Sequence, residues 1–183
     1  MIIVDGDYVD KVAFDLTVNF ERMLERRVAR ADLAHWLDCV ALDGGLREGE
    51  NEVQVVFIHR NERLANFNPS DYADLNGKAF KDGLGEFAMS AYKVEDIVAP
   101  DEFFVQVLDL LKSEKEIRRL IVVPNAEAYI DKVKHALRDC DKLTTVLAMQ
   151  PITGGSFRQE ILGYSLMSAL GIRAEEINEE LRS

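Results

Sequence analysis

Apolar positions in this chain fall into two patterns. Short continuous runs (Ile2-Ile3-Val4, Val53 to Ile58, Leu120 to Val123 and Leu143 to Met149) read as strands buried on both faces. Amphipathic stretches lie between them. Val12, Leu16, Phe20 and Met23/Leu24 share one stripe and predict a helix over about 9–27. A second helix starts near Asp32, carries Leu33, Trp36, Leu37 and Val40, and stops at Asp43-Gly44-Gly45. Pro100 opens a third, with Phe104, Val107, Leu108 and Leu111 as its stripe. Asn125 opens a fourth, through Tyr129, Val133, Ala136 and Leu137. A last helix is expected from about Ser156 to Leu170, with Gly171 at its end.

Elsewhere the pattern is weaker. Glu86 to Val94 alternates apolar with small or polar residues and reads as a strand. From His59 to about Gly85 the chain is polar and broken, which predicts a loop insertion over about 60–85, with a turn of helix near Ser70 to Leu75. Residues 174–183 form an acidic tail, expected to be a solvated end, with a short helix as the alternative. Strands alternating with helices predict one domain over 1–173: an α/β, three-layer Rossmann-like fold with a mostly parallel sheet flanked by helices.

Composition narrows the function classes. There are 22 Lys+Arg against 33 Asp+Glu, a formal charge of −11. That balance disfavours broad RNA binding, which rests on a cationic surface. Two arginine- and lysine-bearing groups, around Arg26 and Lys115, are interleaved with acids and read as solvated faces. No run is long and apolar enough to cross a membrane, and Met1 to Asp10 lacks a basic leader, so a cytoplasmic location is expected. Cys39 and Cys140 are expected to be reduced thiols, and Trp36 a core or interface anchor. His35, His59 and His135, taken with the two isolated cysteines, make no zinc-ligand pattern, and His35 reads as a helix-boundary residue.

Ligands of such sheets bind beyond the carboxyl ends of the strands. The first strand ends in Asp5-Gly6-Asp7. Two carboxylates there suit a hard cation such as Mg or Mn; alternatively, Asp5 caps the next helix and Asp7 is solvated. Glu127, just after Asn125, either complements a helix dipole or adds a metal ligand. Asp109 lies beside the apolar stripe of its helix and faces either solvent or the end of the first strand. Thr153, Gly154, Gly155 and Ser156 precede the last expected helix, where backbone amides can hold a nucleotide or small anion.

Ile2-Ile3-Val4-Asp5-Gly6-Asp7-Tyr8-Val9 resembles the opening of PIN-like nuclease domains, especially the NYN group. Asp109, within Val105 to Leu111, resembles that family's helix acid. The resemblance implies Mg- or Mn-dependent RNA cleavage, with Asp5 and Asp109 catalytic and Asp7 and Glu127 completing the metal site. It also shows departures. Tyr8 stands where the family often has Asn, Phe103 where its first helix acid falls, and Ala126 and Ala128 where strand-end acids fall. The implied protein is a PIN-like domain with a degraded nuclease site, acting on a protein partner or a second copy of itself. Asp5-Gly6-Asp7 also resembles the start of haloacid-dehalogenase-type phosphatases, but the second strand ends in Ile58-His59 rather than Ser or Thr.

Overall fold

A computed structural model describes residues 1–182. Its strands are β1 (Ile2–Asp5), β2 (Ala31–Asp32), β3 (Asn51–His59), β4 (Phe67–Asn68), β5 (Ala79–Asp82), β6 (Gly85–Lys93), β7 (Arg119–Val123), β8 (Leu143–Ala148) and β9 (Arg158–Ile161). Its helices are α1 (Gly6–Leu24), α2 (Leu33–Asp43), α3 (Tyr72–Leu75), α4 (Pro100–Lys112), α5 (Ala126–Leu137), α6 (Leu162–Ala169) and α7 (Ala174–Arg182).

Seven strands form one sheet in the order β5-β6-β3-β1-β7-β8-β9, parallel except for the β5–β6 hairpin. Counted along the chain, its parallel strands follow the 3-2-1-4-5-6 order of doubly wound folds, with the direction of winding reversing between β1 and β7. β1 pairs with both neighbours, Ile3 lying against Val56 and Val122.

The continuous apolar runs are explained by the two faces of this sheet. Ile2 and Val4 point into one core, with Trp36, Leu37 and Leu166 from α2 and α6. Ile3 points into the other, with Phe104, Leu108 and Val133 from α4 and α5. Alternate residues of one strand are therefore buried on opposite sides, which makes three layers. At roughly 25 cal/mol per Å² of apolar surface, each such aliphatic side chain contributes about 1.5–3 kcal/mol.

Two expectations are corrected here. Residues 60–85 are not a surface insertion. Leu64, Phe67, Tyr72, Leu75 and Leu84 are all buried in the α1/α2 core, β4 pairs with β2, and Phe67 meets Trp36 edge-on at 5.6 Å. Their irregular spacing fits neither a helix nor a strand, so no period betrays their burial. The last helix, expected from about Ser156, starts later. Arg158–Ile161 is strand β9 at the sheet edge, and α6 begins only at Leu162. A polar edge strand next to an apolar helix start lacks the alternation that identifies strands.

The tail forms α7, which stays solvated along most of its length and is tethered to the body at one point. Glu176 receives hydrogen bonds from Arg26 Nε at 2.8 Å and Nη2 at 3.0 Å, and Ile177 packs against the α1/α2 core. Ser183 of that expected tail lies outside the described residues. Among the described residues, no helix is long and apolar enough to cross a membrane.

Candidate functional site at the carboxyl end of β1

β1 delivers Asp5 to the switch point, and α1 begins at once. Asp5 is the N-cap of α1: its Oδ1 accepts from the Tyr8 amide at 3.2 Å. Its Oδ2 accepts from the Tyr129 hydroxyl at 2.5 Å, across the gap between β1 and β7. Tyr129 reaches there because it leaves helical geometry within α5 (φ −144°, ψ 34°). Burial raises the Asp5 pKa, opposed by the hydrogen bonds from Tyr129 and Tyr8.

Asp7 turns the other way. Its Oδ2 accepts from the Arg60 amide at 2.7 Å and the Asn61 amide at 3.3 Å, which ties the first turn of α1 to the chain leaving β3. Asp10, one turn on, accepts from the Asn66 amide at 2.8 Å and its side-chain Nδ2 at 3.1 Å. The acids at the start of α1 thus fasten the 60–68 segment onto the sheet. The pairing has a simple cause: a segment leaving a parallel strand has unpaired amides, and carboxylates are strong acceptors for them.

Aromatic residues close the edge. A Cβ built on Gly6 would lie 2.1 Å from the Tyr72 hydroxyl, so only glycine fits where that tyrosine crosses the helix start. Tyr72 stacks on His59, ring centroids 3.6 Å apart and planes 12° apart. His59 Nδ1 lies 2.7 Å from the Asn61 carbonyl oxygen, which fixes Nδ1 as the protonated nitrogen. Burial lowers the His59 pKa, against the pull of that carbonyl and of Asp7 and Glu62.

The Tyr72 hydroxyl and Arg60 Nε are buried at this edge without a hydrogen-bond partner in the protein. Glu127 is exposed, yet close enough to Tyr8 that its charge adds to burial in pushing the Tyr8 pKa to about 12. Burial also raises the Tyr72 pKa, reinforced by Asp7, Asp10 and Asp5.

The structure therefore gathers Asp5, Asp7 and Glu127 at one edge but not Asp109. α4 starts at this edge and runs back along the sheet, so Asp109 lies nine residues beyond Pro100, about 13 Å along the axis at ~1.5 Å per residue. There Asp109 is solvent-exposed and pairs with Lys112 at 3.1 Å. The α4 acid at the strand-end side is Asp101, whose charge reaches Tyr129 and which pairs with Lys132 at 2.6 Å.

This donor set does not fit an Mg or Mn centre. Both carboxylates at the end of β1 already accept from the chain's own amides and hydroxyl. Among the described residues no group of three or more His, Cys, Asp or Glu could hold a metal ion. The Thr153–Ser156 turn does not form an anion cradle at a helix start either, since β9 follows it. Its carbonyls and hydroxyl are used locally: Lys134 Nζ donates to the Thr153 carbonyl, and Ser156 Oγ donates to the Leu137 carbonyl at 3.3 Å.

An open cleft of about 1070 Å³ lies at the opposite edge of the sheet, beside Met1, Arg47, Glu52 and Arg119. It mixes arginines with glutamates and meets no strand carboxyl end, so strand topology rather than cleft size locates the candidate site.

A family profile matches residues 1–177. The chain belongs to DUF6621, a family of unknown function. No curated protein and no solved structure matches it. Membership of DUF6621 therefore adds no chemistry, and the site must be read from its own geometry.

Tyr72, Tyr129 and His59 escaped the sequence reading as site residues. Tyr129 lies in an apolar stripe, where a tyrosine looks like core, and Tyr72 lies in the segment read as a loop. Gly6 was the one available signal: a glycine opening a helix marks a close approach by something else.

Proposed function

We propose that this DUF6621 chain is a PIN-like domain that works without catalysis, as an interaction module for a protein partner or a second copy of itself. The observation that carries this reading is the engagement of Asp5 and Asp7. A metal nuclease needs carboxylates whose oxygens face the metal and phosphate. Here the Asp5 oxygens cap α1 and receive Tyr129, and the Asp7 oxygens hold Arg60 and Asn61. The departures at Phe103, Ala126 and Ala128 take acids away from the same edge.

An apolar surface supports the interaction half of the reading. Phe14 and Val18, one turn apart on α1, are 53% and 39% exposed. The charge of −11 makes a polyanionic partner unfavourable.

Purified protein incubated with labelled single-stranded RNA and Mn²⁺ tests the reading. No cleavage above a chelator control is expected. Cleavage that disappears in Asp5→Asn would establish the nuclease alternative instead. Light scattering over a concentration series, repeated with Phe14→Ser, tests self-association through α1.

A further inference from the structure

We propose that His35 and Cys39 on α2 chelate a soft divalent cation of the Zn²⁺ class. They form a two-point metal site on the helical face of the molecule, separate from the carboxyl end of β1.

The two residues are four apart on one helix, so their side chains lie on the same face. His35 Nε2 and Cys39 Sγ are 3.7 Å apart. A tetrahedral ion with a metal–sulfur bond of about 2.3 Å and a metal–nitrogen bond of about 2.0–2.1 Å spans roughly 3.5–3.6 Å between those donors. The pair is thus set within a fraction of an ångström of chelating geometry without a change of helix position. Soft sulfur together with imidazole selects zinc-like ions over magnesium or calcium.

Access and the neighbouring hydroxyl agree. His35 is exposed and Cys39 half-buried, so an ion can arrive from solvent. Ser168 on α6 lies 2.8 Å from His35 Nε2 and also hydrogen-bonds the Cys39 thiol, putting a third polar atom beside both donors. Burial raises the Cys39 pKa, and Asp43 and Asp38 add to it through their charges. Two protein ligands leave the remaining positions to water, so binding is expected to be reversible and weaker than at a four-ligand structural site.

The simplest competing account is a hydrogen-bonded His35–Cys39–Ser168 cluster that only ties α2 to α6. Titration of reduced, chelator-treated protein with Co²⁺ separates the two. The expected result is a saturable thiolate-to-cobalt charge-transfer absorption at one ion per chain. It is lost in Cys39→Ser and in His35→Gln, and reversed by Zn²⁺. Binding should weaken as pH falls, because the thiol must give up its proton to bind. A measurement on the unaltered chain guards against misfolded variants: Zn²⁺ should slow alkylation of Cys39 but not of Cys140, read by mass spectrometry. Absence of the absorption overturns the proposal, as does an absorption that survives His35→Gln in a folded variant, or equal protection of both cysteines.

Discussion

The Tyr129 hydroxyl donates to Asp5 Oδ2 at 2.5 Å, and this contact joins α5 to the end of β1 across the switch point of the sheet. Removing the donor leaves the half-buried Asp5 carboxylate with one hydrogen bond fewer. Tyr129→Phe is expected to destabilise the fold by about 1–2 kcal/mol, the usual cost of losing one hydrogen bond to a half-buried carboxylate. The sign of the pH dependence follows. Burial already holds the Asp5 pKa above its ordinary value, so Asp5 disfavours the native state once pH rises past the normal carboxylate range. Losing Tyr129 raises that pKa further. Urea unfolding should therefore show a larger loss for Tyr129→Phe at pH 8 than at pH 5, and an equal loss at both would show that the contact does not act through the Asp5 charge.

Gly6 and Tyr72 make a second, steric prediction. An alanine Cβ at position 6 would sit 2.1 Å from the Tyr72 oxygen and 3.0 Å from its Cζ. Gly6→Ala should cost about 1–3 kcal/mol through overpacking. Tyr72→Phe removes a buried hydroxyl that has no partner, so on its own it should be neutral or slightly stabilising. In the double variant the clash shrinks, and a double-mutant cycle should give a favourable coupling of about 0.5–3 kcal/mol. Strict additivity of the two changes would refute the contact.

Much of the architecture was legible because β1, β3 and β7 are apolar on both faces, and continuous runs such as Leu120–Val123 have few other uses. Pattern failed where burial is aperiodic. Leu64, Phe67 and Tyr72 belong to the core but follow no repeat, and β9 is a polar edge strand that its neighbouring helix start disguised. At the site, the positions of Asp5 and Asp7 followed from the end of a strand run. What occupies their oxygens did not. Arg60, Asn61 and Tyr129 lie between 53 and 124 residues away along the chain, and only the folded sheet brings them to α1. His35 and Cys39 carried a signal in their four-residue spacing. It is easily passed over, because an isolated His-Cys pair on a helix has no fixed meaning until a third polar atom, Ser168, is seen beside it.

Arg26 and Glu176 govern the attachment of α7. Arg26 and the Arg173 amide hold the Glu176 pKa down at about 2, the Arg26 hydrogen bond being the larger cause. A depressed carboxyl pKa gives a contact that persists above the usual carboxylate range and fails only as pH falls toward the folded value. Amide exchange of residues 174–182 should thus be flat from pH 7 to pH 4, once corrected for intrinsic rates. It should rise in Arg26→Ala and at high salt, as befits an exposed pair. Unchanged protection in Arg26→Ala would mean that Ile177 packing alone holds the helix.

Asp38 should make the fold less stable as the solution becomes more alkaline. It lies on α2 against Asp82 of the β5–β6 hairpin, with Asp32 nearby, and one of its oxygens is buried without a donor from the protein. Burial, then the hydrogen bond to Asp82, then the charges of Asp82 and Asp32 push its pKa to about 7. Two carboxyls in contact are stable only while a proton is shared between them. The folded state therefore holds a proton that the unfolded chain has released. Stability is greatest below the ordinary carboxylate pKa of 3.8, falls as pH rises toward 7, and levels off above it. Asp82 is exposed, so solvent screening limits the effect to an estimated ~1–2 kcal/mol. Asp43, raised to about 6 by burial and by Glu160, acts in the same direction. Asp38→Asn keeps the shape, removes the charge and donates to Asp82. It is expected to raise the melting temperature at pH 8, to change little at pH 5, and to flatten the profile between them. A variant that loses stability equally at both pH values would show that Asp38 contributes through a contact specific to its carboxylate and not through the shared proton.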